Sequence, residues 1–324
     1  MLTRRHLIKA SAACLAAGAT RAQAQADWPN RPVKVIVTYP AGGGADTTAR
    51  ILFQKLSEMW GKSFVIDNRG GAGGTIGAAV AAKSDPDGYT IMHDATAFSV
   101  NPALYAKLPF DYSKDFEPVF LASLVPNVLV VTPSVEAKTV ADIIELAKKT
   151  PGGLDFASSG NGTLQHLCLE LLRFMAKVQI NHIPYRGGGP AMNDVIAGQV
   201  KYFFSNGSAS VGLVNGGKLK AIAHTGRGRL GTLPDLPAVQ DTIPGFEAYE
   251  WNGVFLPAGT SPEIVKKLNA GLNEVLRQPD VIARFKSLNV DFKENTPQEF
   301  RGFVAAETEK WSKVVREAGI KLGA

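Results

Sequence analysis

Val33-Lys34-Val35-Ile36-Val37-Thr38-Tyr39-Pro40-Ala41-Gly42-Gly43-Gly44-Ala45-Asp46 reads as a buried strand that turns through three glycines into a helix. Three consecutive glycines leave no Cβ between the backbone and a ligand. The helix expected over Thr47 to Met59, with Asp46 as its cap, adds unpaired N–H donors and a positive dipole end. The turn is a candidate anion cradle; a tight turn without a ligand is the alternative. No Gly-Lys-Ser/Thr follows, and Gly-x-Gly-x-x-Gly spacing fails here, so a carboxylate is favoured over a nucleotide phosphate.

Outward from this turn, strands and helices alternate. Strands are expected at Val33–Tyr39, Phe64–Asp67, Thr90–His93, Val128–Val131, Asp155–Ser158, Asn181–Pro184, Lys201–Phe204 and Lys220–His224. Helix starts stand between them: Thr139 and Asp142 have capping-box spacing, and Thr163 opens Leu164–Met175. The pattern predicts an α/β protein with parallel sheets covered by helices. From Ser261 the chain is mainly helical, with starts at Ser261-Pro262-Glu263 and Thr296-Pro297-Gln298-Glu299. Boundary signals at Val125-Pro126-Asn127 and through the Pro-rich stretch 232–244 divide it into one lobe of residues 27–125 plus 245–324 and a second lobe of 126–244. Two crossings between lobes make a hinge, with the ligand cleft between two αβ domains.

Three further loops are candidates for that cleft. Asn68-Arg69-Gly70-Gly71-Ala72-Gly73-Gly74-Thr75 repeats the strand–glycine–helix junction, with Arg69 expected to tie down its own loop through Asp67. Ala157-Ser158-Ser159-Gly160-Asn161-Gly162-Thr163 offers hydroxyls and N–H groups, the donors a carboxylate needs, and leads to Gln165 and His166. His166 is expected to hydrogen-bond behind the site, since no second His or Cys stands four residues on to share a metal. Pro184-Tyr185-Arg186-Gly187-Gly188-Gly189-Pro190 is the third, and helix ends from both lobes would then grip a carboxylic acid.

The start of the chain reads as an export signal over residues 1–26. Thr3-Arg4-Arg5-His6-Leu7-Ile8-Lys9, a short apolar run and Ala22-Gln23-Ala24-Gln25-Ala26 resemble a twin-arginine leader, general secretion being the alternative. Cleavage is expected after Ala24 or Ala26, giving a protein in the periplasm that acts as a monomer. Removing four cations takes the formal net charge from +6 to +2. The high isoelectric point then belongs largely to the leader, which argues against a nucleic-acid partner. Cys168, the one cysteine left, sits among leucines and reads as core. No Gly-x-Ser-x-Gly elbow surrounds Ser158 or Ser159, and no His/Cys cluster has metal spacing, so neither a hydrolase nor a metal or other cofactor is expected.

Trp28-Pro29-Asn30-Arg31-Pro32, the Tyr39–Asp46 loop, Asn68-Arg69-Gly-Gly-Ala-Gly-Gly, Pro86-Asp87-Gly88-Tyr89-Thr90, Tyr185-Arg186-Gly-Gly-Gly-Pro, Leu233-Pro234-Asp235-Leu236-Pro237 and Pro257-Ala258-Gly259-Thr260 closely resemble the Bug family, in order and over the whole mature chain. That family comprises periplasmic solute-binding proteins of tripartite tricarboxylate transporters. The resemblance implies a two-lobed type II periplasmic binding fold, no catalysis, a carboxylate ligand (a di- or tricarboxylate or an aromatic acid) and transient contact with membrane permease subunits. A sensory protein presenting its liganded form to a membrane receptor is the alternative. By the same resemblance the ligand-binding residues are Tyr39, Ala41, Gly42, Gly43, Gly44, Asp46, Ser158, Ser159, Asn161, Thr163 and His166, and Tyr185 of the third loop and Ser205 are expected to join them. Ser205 replaces an acid that many members carry before Asn, which argues against a ligand amino group. Phe98, Phe203 and Trp251 are candidates for an apolar wall, or else core.

Overall fold

The computed structural model describes residues 28–288, 290–317 and 319–320; the expected leader lies outside them. Strand β1 (Val33–Val37) runs parallel between β2 (Phe64–Asn68) and β3 (Thr90–Ala95). Helices α1 (Gly44–Trp60) and α2 (Thr75–Ala82) make the connections, so β1 and β2 each end on a glycine turn at the same edge of the sheet. Helix α1 buries Ala49, Leu52, Phe53 and Leu56 against Val33 and Val35, each large side chain contributing roughly 1.5–3 kcal/mol, and Gly61 ends it at φ 61°. Helix α3 (Ala97–Leu104) follows β3.

Strand β4 (Phe116–Val131) joins the two halves of the molecule. Its first part pairs antiparallel with β9 (Tyr249–Pro257), which also pairs with β3. Its last residues, from Asn127, pair instead with β7 (Tyr202–Asn206) and β8 (Lys220–His224). Beyond β7 lie β5 (Leu154–Ser158) and β6 (Ile180–Pro184), all three parallel. Helices α4 (Val140–Lys149), α5 (Leu164–Ala176), α6 (Gly188–Ala197) and α7 (Gly207–Asn215) cover this second half. The result is a curled, mixed α/β sheet in two lobes.

All eight expected strands form, most with ends shifted by a residue or two. One expectation needs correction: the sheets are not purely parallel, because β4 and β9 run against their neighbours. Val125-Pro126-Asn127, expected as a boundary signal, lies within the unbroken strand β4: Pro126 sits where pairing passes from β9 to β7 and β8, so its missing N–H is tolerated. Val254, Phe255 and Leu256 are part of β9.

Each half carries apolar clusters on both faces of its sheet. Helices α8 (Pro262–Leu276) and α9 (Pro279–Ser287) pack on the first half. Helix α10 (Pro297–Glu317) begins there through Phe300 and Val304, then places Trp311 and Val315 in the second core. Among the described residues no helix is long and apolar enough to cross a membrane.

Candidate functional site

The glycine turns of the two halves meet face to face. A Cβ built on Gly44 would lie 2.5 Å from Cγ of Asn206, and one on Gly187 would lie 2.6 Å from Cδ of Pro40. A Cβ on Gly73 would run into the Asn161 carbonyl. Glycine is required here by close approach between lobes, so the conformation is closed.

Between these turns lies a cavity of about 30 Å³, lined by Tyr39, Gly43, Gly44, Thr96, Ser159, Thr163, Gln165, Phe203, Ser205, Asn206 and Glu250 among others. That is room for little more than a water or two, or one carboxylate group. Helix α1 starts in its wall: Gly43 occupies the cap position, and no side chain accepts from the first-turn N–H groups. Helix α6, capped by Gly187, starts alongside with no side-chain cap either. Across the cavity the buried Nδ2 of Asn206 has no hydrogen-bond partner among the described residues, while its Oδ1 accepts from Ser208 N at 2.9 Å. Uncapped helix ends and an amide donor without a partner are the groups that a carboxylate can accept from. An outer cavity of about 170 Å³ adjoins through the shared Tyr39 and Ser159 and is bordered by Gly71–Gly74, Asn161, Tyr185 and the exposed Arg186.

The thirteen residues expected from sequence divide three ways. Tyr39, Gly43, Gly44, Ser159, Thr163 and Ser205 line the inner cavity. Asn161 and Tyr185 reach only the outer one, and the Tyr185 hydroxyl donates to Asp194 at 2.7 Å. Ala41, Gly42, Asp46, Ser158 and His166 line neither and instead shape the loops. Gly160 N donates to Ser158 Oγ at 3.1 Å, and that hydroxyl pairs with His182 Nε2 at 2.5 Å. Gly162 N donates to His166 Nδ1, so that nitrogen is unprotonated and the ring proton sits on Nε2. His166 stacks on His182 at 4.0 Å, and burial pushes both down, to about 3 and about 4, leaving them neutral. Of the three aromatics, Phe203 reaches the cavity; Phe98 and Trp251 are core.

Asp46 is not the helix cap. The helix starts two residues earlier, and Asp46 reaches back from its first turn: Oδ2 accepts from Gly42 N at 3.0 Å and Arg50 Nε at 2.9 Å, and Oδ1 accepts from Asn68 Nδ2 at 3.0 Å. Burial alone would raise its pKa, but the hydrogen bonds from Arg50, Gly42 and Asn68 outweigh it and hold the carboxyl below its usual range. A depressed value stabilises the native loop above the unfolded pKa of about 4, and that stabilisation is lost as pH falls through the folded value. Asp46→Ala is expected to weaken carboxylate binding roughly tenfold, about 1.4 kcal/mol, at neutral pH. Unchanged affinity by calorimetry would show that the turn keeps its shape without this clamp.

Sequence reasoning missed Glu250, which enters the cavity wall from β9 and is 6% exposed. Its Oε2 accepts from Gln165 Nε2 of the opposite half. Burial is also the first cause that raises Tyr39, followed by the charges of Asp94 and Glu250. Among the described residues no group of three or more His, Cys, Asp or Glu is placed to hold a metal ion.

An α/β protein of two halves, whose glycine turns close on a small polar cavity, is a solute-binding protein of the periplasmic type. The comparisons agree. Residues 48–320 match the family described as tripartite tricarboxylate transporter family receptor, and the chain belongs to that family, whose members are substrate-binding proteins rather than enzymes. BugT of Bordetella pertussis is 36% identical over 298 residues, covering 91% of each chain. A solved R. palustris protein with adipate is 35% identical, with a TM-score of 0.88 over 91% of this chain and 99% of its own. MatC from Rhodopseudomonas palustris with bound malate is 31% identical, with a TM-score of 0.84 over 89% and 100%.

Proposed function

We propose that this chain captures a small dicarboxylic acid in the periplasm and delivers it to the membrane subunits of a tripartite tricarboxylate transporter. The observation that carries the reading is the uncapped start of α1 at Gly43–Gly44, set in the wall of a closed cavity opposite the orphan Asn206 amide. One carboxylate occupies the inner cavity; the second extends past Tyr39 and Ser159 into the outer cavity toward Arg186. The adipate and malate held by the two similar solved proteins support a dicarboxylate. The lobes are residues 27–125 with 245–324, and 126–244. Their hinge is the pair of neighbouring strands β4 and β9, with α10 strapped across both cores.

A thermal-shift panel of mono-, di- and tricarboxylic and aromatic acids tests capture. Dicarboxylates are expected to stabilise most, by about 2.7 kcal/mol at 100 times the dissociation constant. Stabilisation only by sugars or amino acids would overturn the reading. Delivery is tested by uptake of the best acid in a strain lacking the gene, where normal uptake would refute transport.

A further inference from the structure

We propose that Glu250 is a ligand-reading residue that binds as a neutral acid, donating its carboxyl proton to the ligand's carboxylate, so that closure of the cleft takes up a proton. This rests on the reading of the inner cavity as a carboxylate site.

The geometry leaves few alternatives. Glu250 shares the cavity wall with Gly43, Gly44, Ser159 and Asn206, so a carboxylate seated at the α1 start lies beside a second carboxyl. Two carboxylates in one small enclosed space repel, and one of them takes a proton. The side chains acting on Glu250 do not cancel its charge: Gln165, Asn206 and Asn252 are uncharged amides. Gln165 Nε2 bonds it directly, while Nδ2 of Asn206 and Asn252 lie near without a full hydrogen bond. Its partner on β4 is Val125. The titratable groups coupled to it are Tyr39, from the β1 turn, and Cys168, on α5; Asp94 on β3 acts on Tyr39 in turn. Burial raises the Glu250 carboxyl above its usual range, in agreement with this role. Gln165 belongs to the second half and Glu250 to the first, so their bond crosses between the halves.

For this role, opening of the cleft must part Glu250 from Gln165 and admit water to the carboxyl, which is then ionised at neutral pH. Binding must then draw one proton from solvent, and affinity falls as pH rises, by up to about tenfold per unit. The experiment is calorimetry with adipate and malate between pH 6 and 8, in buffers of different ionisation enthalpy, on the wild type and Glu250→Gln. The expected result is proton uptake by the wild type that falls by about one per ligand in E250Q, with binding retained because the amide N–H donates in place of the acid. Any contribution from Asp94 persists in E250Q, so the difference belongs to Glu250. Equal uptake in both proteins overturns the proposal. So does a wild type that takes up no proton alongside an E250Q that binds more than tenfold worse, the signature of an ionised Glu250 accepting from a hydroxyl or ammonium of the ligand. If neither acid binds the wild type, the same measurement is made with the acid that stabilises most in the thermal-shift panel. In that outcome only the dicarboxylate reading fails; equal proton uptake by wild type and E250Q with that acid still overturns the neutral Glu250.

Discussion

Gly44→Ala is expected to weaken carboxylate binding roughly 5- to 150-fold, the 1–3 kcal/mol that an overpacked contact costs, while leaving stability to unfolding nearly unchanged. The new Cβ would sit 2.5 Å from Asn206 Cγ. Asn206 has no room to swing aside, since its Oδ1 accepts from both the backbone N and the hydroxyl of Ser208. The clash exists only between lobes, so the molecule relieves it by opening. Within its own lobe Gly44 begins α1 without a positive φ, and alanine there is a better helix former than glycine. Calorimetry of adipate or malate reads the affinity loss, and small-angle scattering reads a more open average shape. Undiminished affinity would mean that the cleft closes less tightly than the Gly44–Asn206 contact requires.

Trp251→Ala is expected to cost about 3–5 kcal/mol and to lower Tm by roughly 6–20 °C. The ring is fully buried, with Phe98, Phe255, Phe300 and Phe303 at centroid distances of 6.3, 6.3, 5.9 and 5.7 Å. Those partners come from β9, α3 and α10, so one truncation loosens three elements. Trp251→Phe separates volume from polarity. The indole Nε1 is buried without a hydrogen-bond partner, so replacing the ring by phenyl gives up packing but also removes an unsatisfied donor, and its cost should stay below about 1.5 kcal/mol. A phenylalanine variant as unstable as the alanine one would imply that Nε1 has a bound water. Because Trp251 follows Glu250 and its backbone N–H donates to Thr96 Oγ1, another residue of the cavity wall, loosening of β9 in the alanine variant should also weaken binding.

What was legible in the sequence was local. Strand, glycines and helix stand side by side in the chain, and the close approach that demands Gly44 and Gly187 leaves its trace as glycine itself. The error at Asp46 was also local: an acid at a helix start serves equally as a cap or as a first-turn brace, and only the backbone geometry of Gly43 decides. Pro126 stood out as a boundary signal because proline usually breaks a strand; here the strand continues through it and Pro126 marks a change of strand partner. Asn206 stood beside the Ser205 departure and was within reach of sequence reasoning. Glu250 was not. It has no motif of its own, and its place in the wall depends on β9 returning between β3 and β4 from far along the chain.

Strands β5 to β8 pair only with one another and with the second half of β4, so every strand partner of that lobe lies within one unbroken stretch of chain. The other lobe has no such independence. Leu121 N donates to Asn295 Oδ1 and receives Asn295 Nδ2 on its carbonyl across 174 residues, and Asn269 Nδ2 reaches the Val119 carbonyl across 150. During synthesis the inserted half therefore has its sheet partners early, whereas the half begun first waits for the last helices before it can finish. Glu250 and the Gly43–Gly44 turn belong to that late half. A chain stopped short of Asn295 has every strand of the second lobe's sheet, though not Trp311 and Val315 of its core, and no finished lobe to close it against.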